Sequence, residues 1–158
     1  LESVQHLSDL QLNKSPAEGK WSIAQILSHL ITAEPLTVLY IRKKMQGAAE
    51  TGDSGIWEEI KFFGLKVAQR LPGLKYKAPK MVVEHTVLYP DLITITREWD
   101  GVREDLRSTL EKIPDRFVRR RIFKHVRAGY LNVRHGLLFM REHIVHHTTQ
   151  IRSLASRS

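Results

Sequence analysis

The sequence predicts an all-α fold, a four-helix bundle forming one domain over residues 1–158, with minor helices in the long connections. Three observations predict it. Apolar residues recur at helical spacing along three long stretches. Glycine and proline gather mainly in two places, Gly47 to Gly55 and Leu71 to Pro90, between those stretches. No alternating run asks for a strand. A chain of 158 residues, 42% hydrophobic and 27% charged, has the size and composition of one folded domain.

A short N-terminal helix is expected over about Val4 to Leu12. The first long helix begins after Gly19-Lys20-Trp21, where Ser22 and Gln25 have the S-x-x-Q spacing that lets side chain and backbone cap each other. Ile23, Ile26, Leu27, Leu30, Ala33, Thr37 and Ile41 share its apolar face to about Met45, with a bend expected at Pro35. Ile56, Ile60, Phe63 and Val67 suggest a shorter helix, followed by an irregular segment from Leu71-Pro72-Gly73 to Tyr89-Pro90. From Asp91, the series Leu92, Ile95, Trp99, Val102, Leu106, Leu110 and Ile113 predicts a second long helix, stopped by Pro114, which disfavours helical geometry at the residue before it. The basic stretch Arg116 to Arg134 reads as an interhelical connection. In the last helix Val133, Leu137, Met140, Ile144, His147, Ile151 and Leu154 step by four and three, the seam of a bundle helix capped by Asn132. Six members of that seam are apolar and one is histidine.

Cysteine is absent. Disulfide frameworks, cysteine-type zinc fingers, iron–sulfur clusters and thiol nucleophiles are thereby excluded, and any metal must be held by His, Asp or Glu. The formal charge of +8 permits an anionic partner, but net charge bears on solubility and association rather than on fold or reaction. The longest apolar runs are a few residues, and Leu1-Glu2-Ser3 opens no charged-then-apolar leader. Neither a membrane span nor a secretory signal is expected, and the expected location is cytoplasmic.

Eight histidines exceed ordinary usage for this length. His143 and His147 stand at i, i+4, which puts both imidazoles on one helix face about one turn apart and lets them ligate one ion. His147 also takes an apolar place in the seam, where a ring must find a partner or incur a desolvation cost of about 1–3 kcal/mol. A metal is one such partner; a carbonyl or a carboxylate is another. His29 lies on the flank of the first long helix beside Ile26 and Ala33, either as a boundary residue or reaching a bundle interior. Three histidines from two helices would leave coordination positions open to water or substrate, as catalytic sites do. Glu34 falls within the apolar arc of the same helix, at an angle close to Leu27. It is either turned outward by the Pro35 bend or buried with a partner, and in the second case it is a candidate for orienting a histidine. His146, about 100° around the helix from His147, is expected to face solvent.

These residues carry a resemblance. Gly19-Lys20-Trp21-Ser22-Ile23 followed by His29-Leu30, then His143-x-x-x-His147-x-x-Gln150-Ile151, resemble the motif order of the DinB-like (DinB/YfiT-type) superfamily of metal-dependent four-helix bundles. Lys77-Ala78-Pro79 and the helix around Trp99-Asp100-x-Val102-Arg103 resemble the middle of that pattern, so the resemblance covers nearly the whole chain. It implies a metal triad of His29, His143 and His147 holding a divalent ion, with zinc or nickel favoured by imidazole donors, and Gln150 at a position that usually follows the histidine pair. Members of the superfamily with assigned activities resemble thiol-dependent S-transferases or isomerases. The resemblance therefore implies a metal-dependent transferase or hydrolase acting on a small molecule, such as a low-molecular-weight thiol supplied from solution. No catalytic residue is assigned. The N-terminal helix is short against the family pattern and the chain does not open with Met, so a trimmed N-terminal helix is expected. A homodimer is expected from the exposed faces of long helices and from related proteins.

Other motifs rank lower. Gly52-Asp53-Ser54-Gly55 is similar to the nucleophile loop of trypsin-like proteases, but that chemistry needs two β-barrels and a matching His and Asp, so a turn is expected here. Glu142 to His147 is not H-E-x-x-H, because Ile144 follows His143 and the general base of a metalloprotease is missing. Arg116, Arg119, Arg120, Arg121, Lys124, Arg127 and Arg134, with Phe117, Phe123 and Tyr130 between them, supply the non-enzymatic alternative, a nucleic-acid or regulatory binding module on segment 116–134. A solvated cationic loop, or one that draws an anionic substrate toward the metal, is the expected use, and nucleic acid is not an expected partner.

Overall fold

Helices dominate the computed structural model, which describes residues 1–70, 80–125 and 128–157, and the fold class is all-α as predicted. The helices are α1 (Asp9–Asn13), α2 (Ile23–Met45), α3 (Ile56–Arg70), α4 (Lys80–His85), α5 (Leu92–Glu111) and α6 (Val133–Ala155). A two-stranded antiparallel hairpin, β1 (Phe123–His125) and β2 (Gly129–Leu131), precedes α6. Among the described residues no helix is long and apolar enough to cross a membrane.

The chain divides into two compact units. The first comprises Leu1–Pro35, Lys77–Asp105 and Ile144–Ser158. Its core gathers Val4, Leu7, Leu12, Ile23, Ile26, Leu27, Ile31, Ile95 and Ile151, with Trp21, Trp99 and Leu154 packed against it. The N-terminal segment is broken where one helix is predicted. A 3-10 turn over Glu2–Val4 is followed by α1, because Ser8 and Gln11 form a capping box that starts a new helix. The box read at Ser22 is present: the Gln25 amide donates to Ser22 Oγ at 3.2 Å, and the Ser22 amide to Gln25 Oε1 at 2.8 Å. The helix then continues through Pro35 to Met45. Asp91 starts α5 by accepting from the Thr94 amide at 2.7 Å, and the Tyr89 amide donates to Ser28 Oγ at 3.1 Å, tying the approach to α5 onto α2. The segment predicted to be irregular carries the short helix α4; Leu71-Pro72-Gly73 and Lys77-Ala78-Pro79 lie outside the described residues.

The second unit comprises Leu36–Tyr76 and Leu106–His143, around Ile41, Ala48, Phe62, Leu65, Ile122, Phe123, Leu131 and Val133. Here the structure corrects two expectations. The stretch Arg116 to Arg134 is no plain connection: after a 3-10 turn at Asp115–Phe117 it forms the hairpin, with Phe123 opposite Leu131 and Lys124 opposite Tyr130. Phe123 and Leu131 are buried while Lys124 and Tyr130 face out, an alternation three residues long and too brief to stand out in the sequence. Gly129 sits at φ +72, a conformation that favours glycine. Gly52 to Gly55 is likewise not a turn: Asp53 bridges Arg120 in antiparallel fashion, and Ser54 and Gly52 exchange backbone hydrogen bonds with Arg119 and Arg121. Asn132 caps α6 as predicted, accepting from the His135 amide at 2.8 Å, and its Nδ2 donates to Ser54 Oγ at 2.6 Å.

In α3 the helix is found where the spacing suggests it, but Ile56, Ile60, Phe63 and Val67 lie on its exposed side, and Phe62 and Leu65 supply the buried contacts.

Candidate metal centre

The start of α2 at Ile23 places His29 at the end of the second helical turn, where it is buried. Its ring lies 5.1 Å from that of Trp21, the residue before the cap, and 5.2 Å from that of His147. In α6 the seam is buried or partly buried along its length, and His147 is 9% exposed within it. His143, one turn earlier, is partly buried with its ring 6.3 Å from Phe139 at an interplanar angle of 17°. One ligand nitrogen from each of His29, His143 and His147 lies within 4.8 Å of the other two.

These residues fit a divalent ion. Imidazole nitrogens about 2.0–2.1 Å from a shared tetrahedral zinc stand roughly 3.4 Å apart, so the three rings need only a small closing movement. Their chemistry fits as well. Burial holds the His29 ring below its ordinary pKa. His147 is lowered to about 4, chiefly by burial and further by His29 and His146, against the opposing hydrogen bond of Gln150. Both rings are therefore neutral near pH 7, the form that binds metal. His147 Nδ1 is 3.0 Å from Gln150 Oε1. With the carboxamide oxygen accepting from Nδ1–H, the lone pair resides on Nε2. His146 is exposed.

Glu34 is buried, and its partner is Arg103, whose Nη2 donates to Oε1 at 3.1 Å. The guanidinium also lies 4.7 Å over the Trp99 ring. Burial raises the Glu34 pKa against the opposing charge of Arg103. The sequence points to a carboxylate needing a partner but does not identify Arg103 as that partner. The only signal is the i, i+4 spacing of Trp99 and Arg103, which puts aromatic and cation on one face of α5.

A further histidine escaped the sequence reading. His135 is completely buried, stacked on Phe62 at 4.7 Å, with Nε2 3.0 Å from Glu59 Oε1. Neither of its ring nitrogens makes a well-aligned hydrogen bond among the described residues, so stacking on Phe62 is its clearest contact. In the basic segment, Arg120, Arg121 and Arg134 pair with Asp53, Glu58 and Glu59. Arg116 and Lys124 lie over Phe117 and Tyr130, and Arg127 lies outside the described residues.

An all-α chain in which a histidine of α2 joins a histidine pair of the last helix defines a class, the helical-bundle proteins with a three-histidine cluster. The family model of the DinB superfamily matches residues 1–151, and the chain belongs to that superfamily. It is 27% identical over 154 residues to the uncharacterized protein YuaE of Bacillus subtilis (strain 168), covering 96% of this chain and 87% of the relative. No solved structure matches the chain.

Proposed function

We propose that this chain, as one DinB-like domain, holds a divalent ion, zinc or nickel, on His29, His143 and His147 and works as a metal-dependent enzyme on a small molecule, as a thiol S-transferase or a hydrolase. The observation that carries the reading is the approach of three histidine nitrogens to within 4.8 Å of one another. An ion bound there supplies Lewis acidity, which lowers the pKa of a small thiol or of water so that a nucleophile exists at neutral pH.

The protein's own residues prepare the site. Burial keeps His29 and His147 unprotonated. Gln150 fixes the ring of His147 in rotation and tautomer. The Glu34–Arg103 pair links α2 to α5 and so sets the position of the helix that carries His29. With no cysteine in the chain, a reacting thiol comes from solution.

Cobalt-loaded protein tests the chemistry. Small biological thiols are expected to add sulfur-to-metal charge-transfer absorption, and transfer to a common electrophile is expected to require both the metal and His29. A panel of thiols that leaves the spectrum unchanged, with no metal-dependent turnover, removes the transferase reading in favour of hydrolysis.

A further inference from the structure

The hairpin of β1 and β2 is seated against the part of α6 that leads to His143. At 100° per residue, Gly136, Phe139 and His143 fall within an arc of roughly 60° on that helix. Gly136 leaves room for the hairpin: a Cβ built there would meet the Phe123 ring at 3.4 Å. Phe139, the next residue of the stripe, lies 6.5 Å from Phe123 between ring centroids and makes an edge contact with His125 at 4.9 Å. Both of those rings are themselves held. The Ala128 amide donates to His125 Nδ1 at 3.2 Å, Phe123 makes an edge contact with Tyr40 at 5.7 Å, and the Lys124 amide donates to Tyr40 Oη at 3.3 Å. One turn further along α6, the His143 ring lies nearly parallel to that of Phe139, at 17° and 6.3 Å, within the range of offset-stacked rings.

An imidazole turns readily about χ2, so a ring with nothing against its face aims its lone pairs over a wide range. A parallel neighbour restricts that turn, and less order then has to be imposed when an ion binds. The contact also strengthens on loading. An imidazole that gives a lone pair to a divalent ion becomes electron-poor and is drawn to the negative face of the adjoining phenyl ring. Stacking does not select a nitrogen, since a half-turn about χ2 leaves the ring in the same plane. Phe139 therefore sets the plane of His143, whereas Gln150 also sets the tautomer of His147. We propose that Phe139, clamped by Phe123 and His125, is a positioning residue for the metal centre, and that the hairpin acts on His143 through it. The inference rests on the three-histidine metal reading and extends it to residues outside the ligand set.

Titration of the full chain with zinc, and separately with nickel, against a chromophoric chelator tests the proposal. Phe139→Leu, which keeps an apolar side chain of similar size but no ring, is expected to bind the ion about 2- to 10-fold more weakly than the parent. Phe139→Tyr retains the ring and is expected to bind as the parent does. His125→Ala is expected to lose part of the same affinity in the parent and none in the Phe139→Leu background, because it acts through Phe139. Proton NMR of the metal-free protein supplies a second readout. The His143 ring protons are expected to carry a ring-current shift that Phe139→Leu removes and Phe139→Tyr keeps, and its absence from the parent overturns the proposal. So does a loss in His125→Ala that persists undiminished in the Phe139→Leu background. A parent that takes up neither ion overturns the metal reading and this inference with it. A parent that binds while Phe139→Leu matches it overturns this inference alone.

Discussion

Nδ1 of His147 lies 3.0 Å from Oε1 of Gln150, so a nearly buried ring in the seam of α6 is oriented from within its own helix. Outer hydrogen bonds of this kind commonly change metal affinity by about 10–100-fold. Gln150→Ala is expected to weaken metal binding by that factor in a competition titration against a chromophoric chelator, and Gln150→Glu to restore most of it. Wild-type affinity in Gln150→Ala would show that the contact plays no part in binding.

The three neighbouring histidines of α6 differ in where they point. His143 and His147 approach His29, whereas His146 is exposed. His143→Ala and His147→Ala are each expected to abolish tight uptake of zinc or nickel, with His146→Ala binding as the parent does. Isothermal titration checks this, and equal loss in all three variants would mean that the assigned helix face is wrong.

Glu34 gives the fold a pH dependence of predictable sign. Burial raises its pKa above the ordinary 4.5, so its contribution to stability is fully present below that value and is lost as pH rises through the raised folded pKa. Denaturant unfolding at acid and neutral pH should therefore show Glu34→Gln gaining on the parent as pH rises. Arg103→Met removes the charge that opposes this shift and leaves the carboxylate buried without its partner. It is expected to cost about 1.5–3 kcal/mol at neutral pH, with part recovered on acidification. A pH-independent cost would contradict the account.

Much of this arrangement is legible in the sequence because it depends on local spacing. The S-x-x-Q box at Ser22 and the four-and-three stepping from Val133 to Leu154 fix where α2 and α6 begin and turn His147 inward; His143 follows from its i, i+4 spacing, and His29, a boundary residue by periodicity alone, joins them only through the family resemblance. What escaped depends on partners distant in sequence. Glu34 could be read as needing a partner, but Arg103 lies 69 residues away. The hairpin at Phe123–Leu131 is too short for its alternation to register, and its pairing adds two strands where none was expected. In α3 the periodicity gives the helix but does not say which side meets the core: the Ile56–Val67 stripe is exposed, and Phe62 and Leu65 do the packing.

Elemental analysis of untagged protein purified without chelator decides whether His29, His143 and His147 together bind a metal ion. About one zinc or nickel per chain is expected, lost on chelation and regained on adding either ion back, with imidazole donors favouring these ions over magnesium and calcium. Folded protein that carries no such ion and takes up neither metal at micromolar concentration would contradict it.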